Sequence, residues 1–361
     1  MPPTSRRSTP AVRPAGNHFP ALVAALVATA VPGLAYAAPT PQPAATDSDA
    51  LVRVALDAAK HVSYVGQIQT IRWGTKAATA TIQRVEHLAP AQTRRTFLAP
   101  EALYGEYDVT SGPTTTKFDP RHNRVVITDS PAAAAAATNS SIALLVQNYH
   151  ALLGPVEVVA GRPATTVWLV NRHTGERTMR LWIDNETKVV LAKEAYHGDG
   201  SLAWRMRFDD IRFTAEIPRD VFSTAVPAGF RQFDDHHFTE GALDLQRTLD
   251  EAGFKSVGPR YLPDGFNIIG ADVSNVRGVR NLHFVYSDGI RTISLFENAA
   301  GADADFGTFR PAVTQFEGHD AEYVKDGPTT LLSWHEGGLA FALVGDLDLR
   351  ELIQIAISVV P

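Results

Sequence analysis

Cysteine is absent from the chain. That excludes disulfides, thiolate metal sites, cysteine nucleophiles and a lipid-modified N-terminal cysteine. A basic excess is also missing: 33 lysines and arginines stand against 39 aspartates and glutamates, for a net charge of −6. Nothing in that balance points to a nucleic-acid partner. The sequence has no G-x-S-x-G, no H-E-x-x-H, no Walker loop and no G-x-G-x-x-G, so no enzyme and no cofactor is expected from these signatures. No apolar run reaches the length of about 20 residues that a membrane span needs. What is present is a globular composition, 45% hydrophobic and 20% charged. At roughly 150 residues per domain, the 361 residues suggest two domains.

The N-terminus reads as an export signal. Residues 1–20 carry Arg6, Arg7 and Arg13 and no acid, and Ala21–Ala30 is apolar but for Thr29. Pro32 and Gly33 follow, then Ala35-Tyr36-Ala37. A charged head, a short apolar run and an A-x-A site in that order predict a cleaved signal peptide over 1–37. Cleavage would leave 324 residues with a charge of −9, because three arginines and no acids are lost. A periplasmic protein is expected. Residues 38–47 (APTPQPAATD) are a Pro/Ala/Thr linker.

From Ser48 the pattern is helical, with Leu51, Val54, Ala55 and Ala58 on one stripe and an end near His61. Tyr64–Phe213 then alternates strands with tight turns such as Asp119–Asn123, Asp184–Glu186 and Gly198–Gly200. Sequential hairpins after one helix predict a large antiparallel meander with a helix on one face, over residues 48–232. An apolar helix is expected at Ser141–Leu153, after the Ala-rich run Pro131–Ala137. Residues 233–255 read as an interdomain linker with a helix ending at Gly253. Residues 256–361 read as a smaller α+β domain. Its strands are expected at Ile268–Val273, Leu282–Ser287, Thr292–Glu297, Thr329–His335 and Leu339–Gly345, before a helix capped by Asp346 or Asp348. The fold class is α+β.

Candidate chemistry is sparse. Asp234, Asp235, His236, His237 and Glu240 form the densest group of potential metal ligands, but they suit a polar linker equally, and no metal is expected. Asp264, Asp288, Asp326 and Asp346 lie beside glycines and read as turn formers. The aromatic residues carry more. Trp204, Met206 and Phe208 share a face by period two, with Leu202 continuing it and Arg205 and Arg207 opposite. Together with Trp73 and Trp182 they are candidates for an apolar cavity. The same residues could equally be core against the helix. Arg94-Arg95 and Arg205 with Arg207 are the candidate basic patches.

Four stretches carry a resemblance. They are Val62–Ile68 after the helix, Phe118-Asp119-Pro120 with Val125–Ile127, and Gly161-Arg162-Pro163 through Leu181–Asp184, Lys193–Tyr196 and Gly198–Gly200 to Phe208–Ile211. The fourth is Tyr261–Phe266 with Tyr286–Gly289 and Leu295-Phe296. In this order they resemble the RseB/MucB family of periplasmic regulators of envelope stress. The resemblance implies a LolA-like half-open antiparallel barrel with a helical plug, followed by a smaller α+β domain. It implies binding rather than catalysis. The partners would be the periplasmic part of a single-pass membrane anti-sigma factor, and lipid or lipoprotein as the signal. A lipid or lipoprotein carrier with no sigma-factor role is the alternative. A homo-oligomer is left open.

Overall fold

The structure is a computed structural model that describes residues 47–359, apart from 75–76, 113, 130–138, 236–244, 277–278, 300, 302–303, 305, 308 and 328. The expected signal peptide, almost all of the 38–47 linker, the Ala-rich run, and His236, His237 and Glu240 lie outside the described residues.

Two sheets account for most of the described chain. The larger has twelve strands in the order β12-β6-β5-β4-β3-β2-β1-β11-β10-β9-β8-β7. Its centre pairs β1 (Tyr64–Trp73) with β2 (Ala78–Leu88) on one side and β11 (Leu202–Phe213) on the other. From β1 one arm runs through β3 (Gln92–Ala99), β4 (Tyr107–Ser111), β5 (Thr114–Asp119) and β6 (Arg124–Asp129). The other runs through β10 (Val190–Tyr196), β9 (Arg177–Asp184) and β8 (Arg162–Asn171) to β7 (Tyr149–Val159). Neighbouring strands are antiparallel, as sequential hairpins require. The exception is β12 (Arg231–Asp235), which returns parallel to β6 and extends the sheet into what reads in sequence as polar linker. A strand at an edge can be polar, because one of its sides is never buried.

Helix α1 (Asp47–Asp57) and the short 3-10 turn after it lie across one face of this sheet. Val52 and Ala55 pack on Met179, Leu181, Ile183 and Ala195, and Ala58 packs on Leu191 and Phe208. The start of α1 is tied to edge strand β7: Ser48 Oγ donates to Ala151 O, and Ala151 N donates to Asp49 Oδ1, both at 2.8 Å. These bonds occupy part of the free edge of β7, and Pro155 within it removes another donor.

The helix expected at Ser141–Leu153 is shorter. Helix α2 spans Asn139–Asn148, and Tyr149 opens β7 instead. An apolar run such as Tyr149–Leu153 fits either state, and pairing with Val167–Asn171 of β8 decides for strand.

The smaller sheet has seven antiparallel strands in the order β13-β14-β15-β19-β18-β17-β16. The sequence pattern shows β13 (Asn267–Val276), β14 (Val279–Ser287), β15 (Thr292–Asn298), β18 (Thr329–Glu336) and β19 (Leu339–Gly345). It misses β16 (Ala312–Phe316) and β17 (His319–Asp326), which are mostly polar or part-exposed and lie at an edge. Helices α3 (Leu245–Ala252) and α4 (Leu349–Ser358) pack on one face, over a core that includes Phe284, Leu295, Leu332, Trp334 and Phe341. Asp348, not Asp346, caps α4, in a reciprocal box with Glu351.

Candidate functional site

Cross-strand register sorts the side chains of the large sheet into two faces. On the face that carries α1, Trp204 stands opposite Ala195 and Arg72, Met206 opposite Lys193 and Thr70, and Phe208 opposite Ile68. Trp204, Met206 and Phe208 therefore do share a face. Leu202 does not continue it: the ladder slips at Ala203, so Leu202 lies opposite Tyr196 on the other side. One inserted residue reverses the alternation. Phe208 is buried, whereas Trp204, Met206, Ile68 and Thr70 are half-buried, so this stretch of the face is only partly covered.

Trp73 and Trp182 sit on the opposite face. Trp182 belongs to the set of Arg180, Glu194, Arg205 and Arg207, by its register opposite Ala192. It is buried because the second half of β7 folds over it. Trp182 Nε1 donates to Glu157 Oε2 at 2.8 Å, Arg180 bonds Glu157 Oε1 at 2.5 Å, and Arg207 bonds Val158 O at 3.0 Å. The indole bond, with Arg180 beside it, holds the Glu157 carboxyl below its usual range. Trp73 is half-buried, with the Arg205 guanidinium 5.9 Å from its ring. The five candidates thus divide three and two between the faces. The arginine pairs are likewise engaged. Arg94 bonds Val221 O and lies over Tyr107, and Arg95 bonds Asp108.

One residue on the helix-bearing face has no counterpart there. Lys193 stands between Met206 and Leu181, with Leu191 and Ala195 flanking it on its own strand. Enclosure by apolar neighbours pushes its ammonium below the ordinary lysine range.

The two sheets meet at a built seam, and α2 is its wedge. Leu144 packs on Ile269 and Val285 of the small sheet. Leu145, its neighbour, packs into the large-sheet core beside Tyr149 and Val167. From the other side, the β14–β15 turn reaches across and buries Ile290 in that same core. Asp288, 0% exposed, organises the turn. Its Oδ1 accepts from the backbone N of Ile290 and Arg291, and its Oδ2 from Arg291 Nε at 2.9 Å and from Tyr149 Oη at 2.7 Å. Asn148 Nδ2 donates to Asp288 O and to Gly265 O, both at 2.9 Å, while its Oδ1 bonds His173 Nε2 at 3.0 Å. Burial, then the Asp288 charge, drives the Tyr149 hydroxyl far above the usual tyrosine range, so it stays a donor. Every acceptor site of Asp288 that the turn and the seam reach is engaged, which leaves it no role in a carboxylate pair. Sequence reasoning sees Asp288-Gly289 as a turn and has no signal for its partner 139 residues away.

The large antiparallel sheet thus carries a helix on one face and is followed by a smaller sheet unit docked to it, an α+β arrangement. The MucB/RseB N-terminal domain matches residues 59–226. Residues 256–359 match a separate family described as a domain of unknown function, DUF4367. Among solved structures, the complex of Pseudomonas aeruginosa MucA/MucB is similar at 17% identity and a TM-score of 0.58, covering 87% of this chain and 98% of that one. MucB in complex with MucA(peri) is similar at 16% identity and a TM-score of 0.57, over 86% and 98%. An uncharacterized protein of Methanocaldococcus jannaschii is 22% identical over 214 residues, 55% of this chain and 58% of its own length. The chain thus spans little more than half the length of that curated relative.

Proposed function

We propose that the chain is a periplasmic regulator of envelope stress signalling that binds the periplasmic part of a single-pass anti-sigma factor. The match of residues 59–226 to the MucB/RseB N-terminal domain is the observation that carries this reading. The fold supports it, since two sheet units fixed against each other allow one extended partner to touch both. The second element of the reading is a lipid or lipoprotein signal taken up on the helix-bearing face of the large sheet. The half-buried Trp204, Met206 and Ile68 support it, because exposed apolar sheet needs a cover. If the two ligands favour different arrangements of the two units, each lowers the affinity for the other by the same factor.

The test is affinity purification of the tagged full chain from its own envelope, with mass spectrometry of what elutes. A single-pass protein with a cytoplasmic sigma-binding domain, whose purified periplasmic segment then binds in calorimetry, is the expected result. Binding should weaken when lipid is added. Recovery of lipid or lipoprotein with no such protein would replace the regulator reading with that of a carrier.

A further inference from the structure

Lys193 is the anomaly of the large sheet. It lies mid-strand on the face that carries α1, opposite Leu181 on one side and Met206 on the other. Its neighbour Leu181 belongs to the core cluster that also holds Val52 and Ala55 of α1 and two residues of the seam, Leu145 and Ile290. Among the described residues, no carboxylate and no hydrogen-bond acceptor lies within reach of its ammonium. Other cations of this unit are held: Arg162 by Asp184, Arg180 by Glu157, and Arg95 by Asp108.

An unpaired charge in apolar surroundings is costly. Nature commonly avoids it by letting the lysine tip reach bulk water over an exposed edge. Lys193 is on a central strand of its arm, with β9 and β11 on either side, and not at an edge. It is nevertheless only half-buried, so part of its side chain reaches solvent. Met206, Trp204 and Ile68 lie on the same face and are half-buried, Trp204 and Ile68 with part of their surface packed against the core. A cation beside a partly exposed apolar strip complements a molecule with one anionic end and a long apolar body.

We propose that Lys193 receives the carboxylate of a long-chain fatty acid whose acyl chain lies along Met206, Trp204 and Ile68. This rests on the lipid-binding part of the proposed function and gives it a chemical class. A single ammonium balances a singly charged head. A phosphate carries about 1.5–2 charges and is better matched by the forked donors of arginine. Of the arginines on this face, Arg72 stands opposite Trp204 rather than beside Lys193, and Arg95 is held by Asp108. Binding a carboxylate also restores the charged state of the lysine, which its surroundings disfavour.

The experiment is equilibrium dialysis of the purified full chain against palmitate, hexadecanol and hexadecyl phosphate, repeated with Lys193→Met. Methionine keeps the unbranched stem and removes the charge, and replacing an unpaired buried cation should leave the fold at least as stable. Wild type should prefer palmitate over hexadecanol by about ten- to a hundredfold, the size of a charge-assisted hydrogen bond in a shielded site. K193M should lose that preference and keep its hexadecanol binding. A palmitate preference unchanged in K193M overturns the role of Lys193, and equal binding of palmitate and hexadecanol by wild type does the same; both leave lipid binding intact. Tighter binding of hexadecyl phosphate than of palmitate overturns the choice of head group. Failure of all three probes to bind removes the lipid part of the proposed function itself.

Discussion

Tyr149 and Asp288 lie 139 residues apart and meet at 2.7 Å, hydroxyl to carboxylate, inside the seam between the two sheets. Tyr149 opens edge strand β7 of the large sheet, and Asp288 begins the turn between β14 and β15 of the small one. Each is nearly solvent-free. The bond therefore couples the two units without water as an intermediary, and Arg291 balances the charge from within the small unit. A polar contact of this kind fixes an orientation, because a displaced arrangement would leave the same groups buried and unpaired.

That arrangement ranks two substitutions. Tyr149→Phe removes one donor and leaves Asp288 with Arg291 and two backbone N–H groups, at an expected cost of about 1 kcal/mol. Asp288→Ala removes the counter-charge of a largely buried guanidinium and should cost about 3–5 kcal/mol. Urea denaturation of both variants checks the order. Equal losses would mean that Arg291 finds another partner and that the carboxylate is not the centre of the seam.

Gly289 should be intolerant of any side chain. Its φ is +102°, a region that side chains other than glycine rarely enter. A Cβ there would also overlap the backbone N and Cα of Leu145 in α2. Gly289→Ala should therefore lose about 2 kcal/mol or more, since backbone strain alone is of order 1–3 kcal/mol. The damage should concentrate at the seam. Small-angle scattering is expected to show a larger radius of gyration, with the circular dichroism of both sheets retained. A radius equal to wild type would show that α2 moves aside without freeing the small unit.

Much of this architecture was legible because runs of β-branched and aromatic residues bounded by turn formers recur in β8 to β11 and in β13, β14, β15, β18 and β19. The losses occurred where one residue breaks the alternation of a strand. Ala203 is such a residue, and it turns Leu202 to the opposite face from Trp204. A second slip, between Gln67 and Ile68 against Phe208 and Asp210, changes parity again further along β11. Nothing local marks either bulge. Trp73 and Trp182 could not be told from Trp204 for a related reason: aromatic type predicts burial but not the side on which burial occurs. Lys193-Glu194 reads as ordinary strand surface, and only cross-strand register reveals that the lysine faces α1 while the glutamate faces Arg180 and Arg205. The seam was illegible because its donors and acceptors belong to segments far apart in sequence.

The division of the aromatic residues has a measurable consequence. Phe208 is buried under Ala58 and Leu191, so Phe208→Ala should cost about 3–5 kcal/mol in unfolding free energy. Met206 is half-buried opposite Lys193. Its truncation to alanine should cost less than the about 2–5 kcal/mol of a fully buried methionine, and its main effect should fall on binding of an acyl probe. Chemical denaturation and dialysis of the same two variants separate the outcomes. If Met206→Ala destabilised as much as Phe208→Ala without changing acyl binding, the open part of the face would be core and not a site.

His87 gives the fold a defined acid sensitivity. It is buried beneath the turn that follows α1, with Nε2 at 2.7 Å from Ala59 O and Nδ1 at 2.7 Å from Thr93 Oγ1. A carbonyl oxygen can only accept, so Nε2 carries the proton, and in the neutral ring Nδ1 accepts from the threonine hydroxyl. Burial lowers the pKa of this histidine below the ordinary 6.5, and the bond to Ala59 O only partly opposes it. The unfolded chain therefore takes up this proton first as pH falls. Below about pH 6.5 the unfolded state binds more protons than the folded state, so stability declines with falling pH, by at most about 1.4 kcal/mol per pH unit for this one group. The decline ends once the pH passes the folded-state pKa, and above about pH 7.5 His87 contributes none. His197, also lowered by burial and then by Lys325, adds in the same direction, so the single-residue share must be taken as a difference. Urea denaturation of wild type and His87→Gln at pH 7.5, 6.5 and 5.5 provides it. Glutamine keeps a donor for Ala59 O and does not titrate, so the gap between the two proteins should shift in its favour by up to about 1.4 kcal/mol per unit below pH 6.5. Parallel curves would place the acid sensitivity in other groups.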